Sequence, residues 1–338
     1  ILILIFCFAE CSYSSTSSLW SSSIFLYKLF MLDLFQKTIQ KQTEFKGIGL
    51  HSGLESKIKI IPADENCGII FKRIDLKENN IIKANFENVS SAQLCTTIQN
   101  NFNVSVSTVE HLLAALYITG IDNALIEVNA SEVPIMDGSS KEFVETILKV
   151  GVKEQKTKRK YLKILKKFEF KENEKLISIL PNDNSLKVDF ELVYSNEVIG
   201  KQRNEINFAD KDLSNVYSSR TFCLFEDVEQ IKKIGLAKGG SLDNAIVVKD
   251  NKILNSTGLR NNKEFVNHKI LDLAGDFLLS GFRILGSVTC TRGGHSLSNL
   301  FLRELLNDPS NYSMIELEET KIVKSYFKTS ANKLAVNA

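Results

Sequence analysis

Residues 267–276 read NHKILDLAGD. At roughly 100° per residue on a helix, Val266, Ile270, Leu273 and Phe277 fall together as an apolar stripe, while His268, Asp272 and Asp276 recur at i, i+4 and i+8 on the opposite side. Such a polar row can be the solvated side of an amphipathic helix. It can equally be half of a metal site, because side chains four apart on a helix stand one above the other, and an imidazole with a carboxylate at that spacing can take two corners of a zinc tetrahedron. A catalytic zinc uses three protein ligands and keeps the fourth corner for water, so this reading requires a third ligand from elsewhere in the chain.

The chain has four histidines, in GIGLHSG (47–53), STVEHLLAAL (107–116), NHKILDLAGD and GGHSLSN (293–299). His111 is the natural third ligand, since the first turn of a helix can point a side chain into a cleft. Glu110 beside it has two readings. Ser107-x-x-Glu110 fits a capping box, with serine at the N-cap and glutamate reaching back, and a glutamate next to a metal ligand is also where a general base would take a proton from water. His295 follows two glycines, which suggests a strand end on a tight turn where backbone approaches a ligand closely; a surface-loop histidine is the alternative.

Composition sets the class: 338 residues allow two domains, and 43% hydrophobic with 24% charged residues is ordinary for a globular protein. A net charge of +2 gives no case for nucleic acid as a partner. The six cysteines (Cys7, Cys11, Cys67, Cys95, Cys223, Cys290) show no C-x-x-C pair and no framework spacing, and read as reduced and cytoplasmic. Residues 1–30, an apolar decamer followed by serines with no lysine before Lys28, read as an upstream extension, disordered or not native, with Met31 as the natural first residue. A signal peptide or membrane anchor is the competing reading; it lacks a positive n-region, and the apolar run falls short of the about 20 residues a span requires.

Regular patterning begins at Thr38. It predicts a strand over 54–61, a helix over 109–118, a strand at ALIEV (124–128) and a helix over 141–150, with KEQKTKRK (153–160) as a connector. Strands over 161–170 and 175–180 follow, then the His268 helix, a glycine turn and a strand over 283–290. HLLAALYITGIDNALIEV (111–128) and HKILDLAGDFLLSGFRILGSV (268–288) share the order histidine, helix, glycine, apolar strand. The expectation is an α+β protein of two related domains, 31–155 and 156–335, each a sheet packed with helices, facing one another across the active-site cleft.

Seven motifs in order (GIGLHSG, STVEHLLAAL, PIMDGSS at 134–140, SSRTF at 218–222, GGSLDNAIV at 239–247, NHKILDLAGD and GGHSLSN) make the chain resemble, from about Gln36 onward, the zinc-dependent UDP-3-O-acyl-N-acetylglucosamine deacetylases of lipid A synthesis. The resemblance implies Zn²⁺ held by His111, His268 and Asp272, Glu110 as general base, His295 as general acid with Asp276 holding its imidazolium, and Thr221 as donor to the oxyanion. It also implies contacts to the sugar or UDP group from Lys269, Lys160, Phe222, Asp227 and Gly294, and an insert over 223–247 that encloses the acyl chain. Arg292 stands where the family usually has lysine, and arginine also holds phosphate. Cys223 stands where glycine is usual, and Cys95 matches a family cysteine near the metal to which no chemistry is assigned.

The implied activity is hydrolysis of the substrate's N-acetyl group to acetate and a free amine, the committed step of lipid A biosynthesis. The protein is expected to be a cytoplasmic monomer without stable membrane insertion. A zinc amidohydrolase acting on another acetylated sugar or a peptide is the nearest alternative, although H-E-x-x-H is absent. A non-catalytic metal or nucleotide-sugar binding protein would need none of Glu110, His295 and Thr221.

Overall fold

The computed structural model describes residues 32–318; the extension expected at 1–30 lies outside the described residues. In the first half, period-two alternation builds sheets. Strand β1 (Phe35–Ile39) is followed by β2 (Thr43–Ile48), β3 (Glu55–Pro62), β4 (Ile69–Arg73) and β5 (Ile81–Lys83). Three short strands, β6 (Val89–Ser91), β7 (Thr97–Gln99) and β8 (Ser105–Val106), form an antiparallel sheet before helix α1 (Glu110–Thr119), strand β9 (Ala124–Val128) and helix α2 (Lys141–Val150). The main sheet runs β2-β3-β9-β4-β5, with β4 and β9 parallel. Ile58, Ile60, Phe71, Ile126 and Val128 point from it into the core.

The charged run 153–160 is not a connector. Strand β10 (Val152–Lys158) pairs antiparallel with β1, Thr38 opposite Lys153. Its alternating exposure is that of an edge strand, where lysines are at home. The single strand expected over 161–170 is two, β11 (Lys160–Ile164) and β12 (Phe168–Glu172), because they pair differently: β11 joins the strands over 283–291 and 312–316, and β12 joins only the strand over 175–181.

The second half continues with β13 (Lys175–Pro181), β14 (Leu186–Val193), β15 (Lys201–Asn207), α3 (Ser214–Tyr217), β16 (Phe222–Leu224), α4 (Phe225–Lys233), β17 (Ile246–Lys249) and β18 (Lys252–Ile253). Helix α5 (Glu264–Leu278), strand β19 (Arg283–Thr291), helix α6 (His295–Asn307) and strand β20 (Tyr312–Glu316) complete it. β19 is the axis of this sheet: β13 lies antiparallel along one edge, while β11 and then β14 share the other, both parallel to it.

Helix α5 settles the reading of its polar row. Val266, Ile270, Leu273 and Phe277 are buried as the period predicts, but His268 (2% exposed), Asp272 (3%) and Asp276 (3%) are buried as well. The row is therefore no solvated face; it is pressed against α1. A Cβ at Gly275 would lie 2.1 Å from the Glu110 carbonyl oxygen and 3.1 Å from the Ala114 nitrogen, so the two helices can approach this closely only with glycine there. Replacing Gly275 with Ala should cost about 1–3 kcal/mol, the usual range for overpacking a tight core, seen as a lower urea midpoint. An unchanged midpoint would mean that the helices part without cost.

Candidate active site

The α1–α5 contact brings three donors together. His111, in the first turn of α1, meets His268 and Asp272 of α5, and one ligand atom from each lies within 4.8 Å of the others; no other such group occurs among the described residues. Asp272 Oδ1 is 3.5 Å from His111 Nε2 and 3.4 Å from His268 Nε2. That oxygen is buried with no hydrogen-bond partner. A buried carboxylate oxygen left bare is costly, and a cation between the three atoms would satisfy it. His268 Nδ1 donates to the Ser219 carbonyl at 3.1 Å, which fixes the tautomer and turns Nε2 toward the other two ligands. Burial, against the pull of Asp272, drives the His268 pKa down to about 3, so the ring stays neutral as a metal ligand must. The second Asp272 oxygen accepts from Lys269 Nζ at 2.7 Å. These residues fit a zinc ion.

A second set of groups lines the same space. His295 Nδ1 bonds Asp276 Oδ2 at 2.9 Å, and its Nε2 lies 3.7 Å from both Glu110 Oε1 and Asp272 Oδ2. Burial alone would discharge the imidazole, but Asp276, Glu110 and Asp272 outweigh it and raise its pKa to about 9. Burial raises the Glu110 pKa, against the opposing pull of His295 and His111. The capping box does not form: Ser107 N and Oγ both donate to the Ser131 carbonyl, and Glu110 Oε2 accepts instead from the Thr96 amide at 3.0 Å. His295 is the first residue of α6, directly after the turn; a Cβ at Gly293 would strike Cys290 Sγ at 2.4 Å, so the close backbone approach expected there is made by the protein's own core.

The frame around the site explains three further motifs. Thr108 enters α1 with φ +56°, a strained value for a β-branched residue, and its hydroxyl donates to buried Glu132 at 2.8 Å. The same carboxylate takes the His51 and Ser52 amides at 2.9 and 2.8 Å, so GIGLHSG is tied to the turn that aims Glu110 and His111. In PIMDGSS, Ser140 donates to the His111 carbonyl at 2.6 Å, and the Gly138 carbonyl accepts from the Thr221 amide at 2.7 Å. Arg220 and Glu264, both buried, pair at 2.8 Å and hold the 218–222 segment against the start of α5.

Residues 36–307 match the family of UDP-3-O-acyl N-acetylglycosamine deacetylases. The chain belongs to that family. Among its relatives are UDP-3-O-acyl-N-acetylglucosamine deacetylases of Haemophilus ducreyi (40% identical over 85% of this chain and 94% of the relative) and Geotalea uraniireducens (41%, over 89% and 98%). The Legionella pneumophila enzyme of the same name is 41% identical over 84% of this chain and 94% of its own length.

The family's expected substrate contacts separate into two groups here. A cleft of about 550 Å³ is lined by Glu174, Lys175, Leu192, Tyr194, Arg292 and Gly293. Its Tyr194 ring meets Phe222 at 5.7 Å, and Phe222 lies 6.2 Å from the His268 ring, so cleft and ligand trio adjoin. Of the expected contacts, Arg292 lines the cleft, Phe222 packs between Tyr194 and His268, Lys269 bonds Asp272, and Gly294 precedes α6. Asp227 is exposed on α4, close enough to Cys223 to add to the burial that pushes that thiol up to about 11. Lys160 stands apart from them. It starts β11, whose Tyr161 pairs with Arg283 at the opposite end of β19 from Arg292, roughly 30 Å away at 3.3 Å per residue. Lys175, which sequence reasoning passed over in a lysine-rich stretch, stands in the cleft instead. Thr96, Glu132, Ser219 and the Arg220–Glu264 pair were also not singled out; each acts through a contact distant in sequence and carries no local signal.

The Asp276–His295 geometry yields a test. Asp276→Asn removes the anion that most favours the imidazolium, so the His295 pKa in metal-free protein should fall from about 9 toward neutrality, as an NMR titration of its ring protons would show. A titration that does not move would assign the raised pKa to another group.

Proposed function

We propose that this protein removes the N-acetyl group of UDP-3-O-acyl-N-acetylglucosamine by zinc-dependent hydrolysis, with His111, His268 and Asp272 as the metal ligands. The observation that carries this reading is the convergence of Glu110 Oε1 and His295 Nε2, 3.7 Å apart, beside the His111, His268 and Asp272 donors. Family membership and the shared name of the relatives support the substrate. We place the reaction in lipid A synthesis, in the cytoplasm, and read residues 31–155 and 156–335 as two domains of a monomer sharing the cleft. No helix among the described residues is long and apolar enough to cross a membrane.

Zinc would supply Lewis acidity toward the hydrolytic water and the acetamide carbonyl. Glu110 takes a proton from the water as its oxygen adds to the carbonyl carbon. Thr221, whose backbone N–H donates to the Gly138 carbonyl, gives its hydroxyl hydrogen bond to the carbonyl oxygen as charge builds there; losing one such donor typically costs about 3 kcal/mol. His295 passes its Nε2 proton to the amide nitrogen, the C–N bond breaks, and acetate leaves with the free amine. Asp276, bonded to Nδ1, keeps that ring turned and favours its charged form until the proton is passed on. Lys269, Arg292 and Lys175 offer cations to the UDP group, Phe222 and Gly294 border the sugar, and segment 223–247, with Asp227, covers the acyl chain. This assignment replaces Lys160 with Lys175.

Purified protein should contain about one equivalent of zinc, lose deacetylation of UDP-3-O-acyl-N-acetylglucosamine on chelation, and regain it when zinc is restored. Glu110→Gln and His295→Ala should each lower the rate by roughly 10²–10⁴ with zinc still bound. Turnover that survives complete chelation would contradict the mechanism.

A further inference from the structure

Neither the general base nor the carboxylate behind the general acid stands alone, and both end on the same residue. Thr96, 2% exposed, lies just before β7. Its amide donates to Glu110 Oε2 at 3.0 Å, and its hydroxyl donates to Asp276 Oδ1 at 2.7 Å. The other oxygen of each carboxylate faces His295: Asp276 Oδ2 at 2.9 Å from Nδ1 and Glu110 Oε1 at 3.7 Å from Nε2. Glu110, Thr96, Asp276 and His295 therefore close a ring in which one residue fixes both carboxylates. The Thr96 carbonyl also accepts from the Val109 amide at 3.3 Å, which ties the residue to the start of α1 itself. A threonine suits this post because its branched side chain has few rotamers, which limits the directions its hydroxyl can take relative to its amide.

We propose that Thr96 is a positioning residue for the deacetylation reaction: it sets the relative orientation of Glu110 and Asp276, and through Asp276 that of His295, so that base and acid address one reacting centre. The inference rests on the acid–base reading given above. Partners of this outer kind typically affect activity 10–100-fold.

The test is kinetic and uses the full chain loaded with zinc. Thr96→Val keeps the shape and the backbone amide and removes only the hydroxyl; it should lower kcat by about 10–100-fold with KM and zinc content unchanged, and Thr96→Ser should restore most of the loss. Should the valine variant not fold, Thr96→Ala removes the same hydroxyl without adding a methyl against the carboxylate. In an Asp276→Ala background the hydroxyl has lost its acceptor, so adding Thr96→Val should change kcat by less than about twofold, the signature of two groups acting as one unit. Equal kcat for the valine and threonine proteins, no rescue by serine, or multiplicative losses in the double variant would each overturn the proposal. A wild-type chain that shows no deacetylase activity would instead remove the reaction on which it rests.

Discussion

The contact on which this structure depends is the passage of α5 across the start of α1, where Gly275 lies against the Glu110 carbonyl. A single methyl would come within 2.1 Å of that oxygen. Because the helices touch backbone to backbone, the side chains at their crossing cannot spread apart, and the crossing falls where both helices carry polar residues. His111 and Glu110 come from one helix and His268, Asp272 and Asp276 from the other, all buried. Burial of five polar groups is tolerable only if each is partnered. Most are partnered within the protein: Ser219 serves His268, Lys269 serves Asp272, and Thr96 serves Glu110 and Asp276. The exceptions are His111 Nδ1 and the Asp272 oxygen between the two imidazoles, and a cation held by the three side chains is what would complete that oxygen.

The same dry environment produces opposite effects on two histidines. His268, whose burial outweighs the pull of Asp272 and is reinforced by another imidazole and a nearby ammonium, is held neutral with a pKa of about 3; His295, ringed by three carboxylates, is held charged with a pKa of about 9. Burial favours the neutral form of both, so the difference comes from the neighbours each helix turn supplies. One ring is thereby suited to donate a lone pair and the other to donate a proton.

Much of this was legible in the sequence, for identifiable reasons. The helix over 141–150 and the strand over 124–128 were expected with the bounds observed, since glycines and clean periodicity mark their ends. The grouping of His111, His268 and Asp272 could be read because two of its members share one helix at a spacing of four and the third sits at a helix start. What could not be read depends on register or on distant contacts. Thr96 reaches Glu110 over 14 residues and Asp276 over 180. The charged run 153–160 is a strand only because β1 is there to pair with it. Lys160 and Lys175 look alike in sequence, and only the pairing of β11 and β13 with opposite ends of β19 separates them. Ser107 and Glu110 had the spacing of a cap, but the Thr96 amide claimed the carboxylate.

The most direct test of the account is zinc K-edge X-ray absorption on the purified, metal-loaded protein. If the helix crossing builds the metal centre from His111, His268 and Asp272, the first shell should consist of nitrogen and oxygen at about 2.0–2.2 Å, with the outer-shell pattern of two imidazoles. A sulfur shell at about 2.3 Å, which would bring Cys95 into the coordination sphere, or a single imidazole, would contradict it.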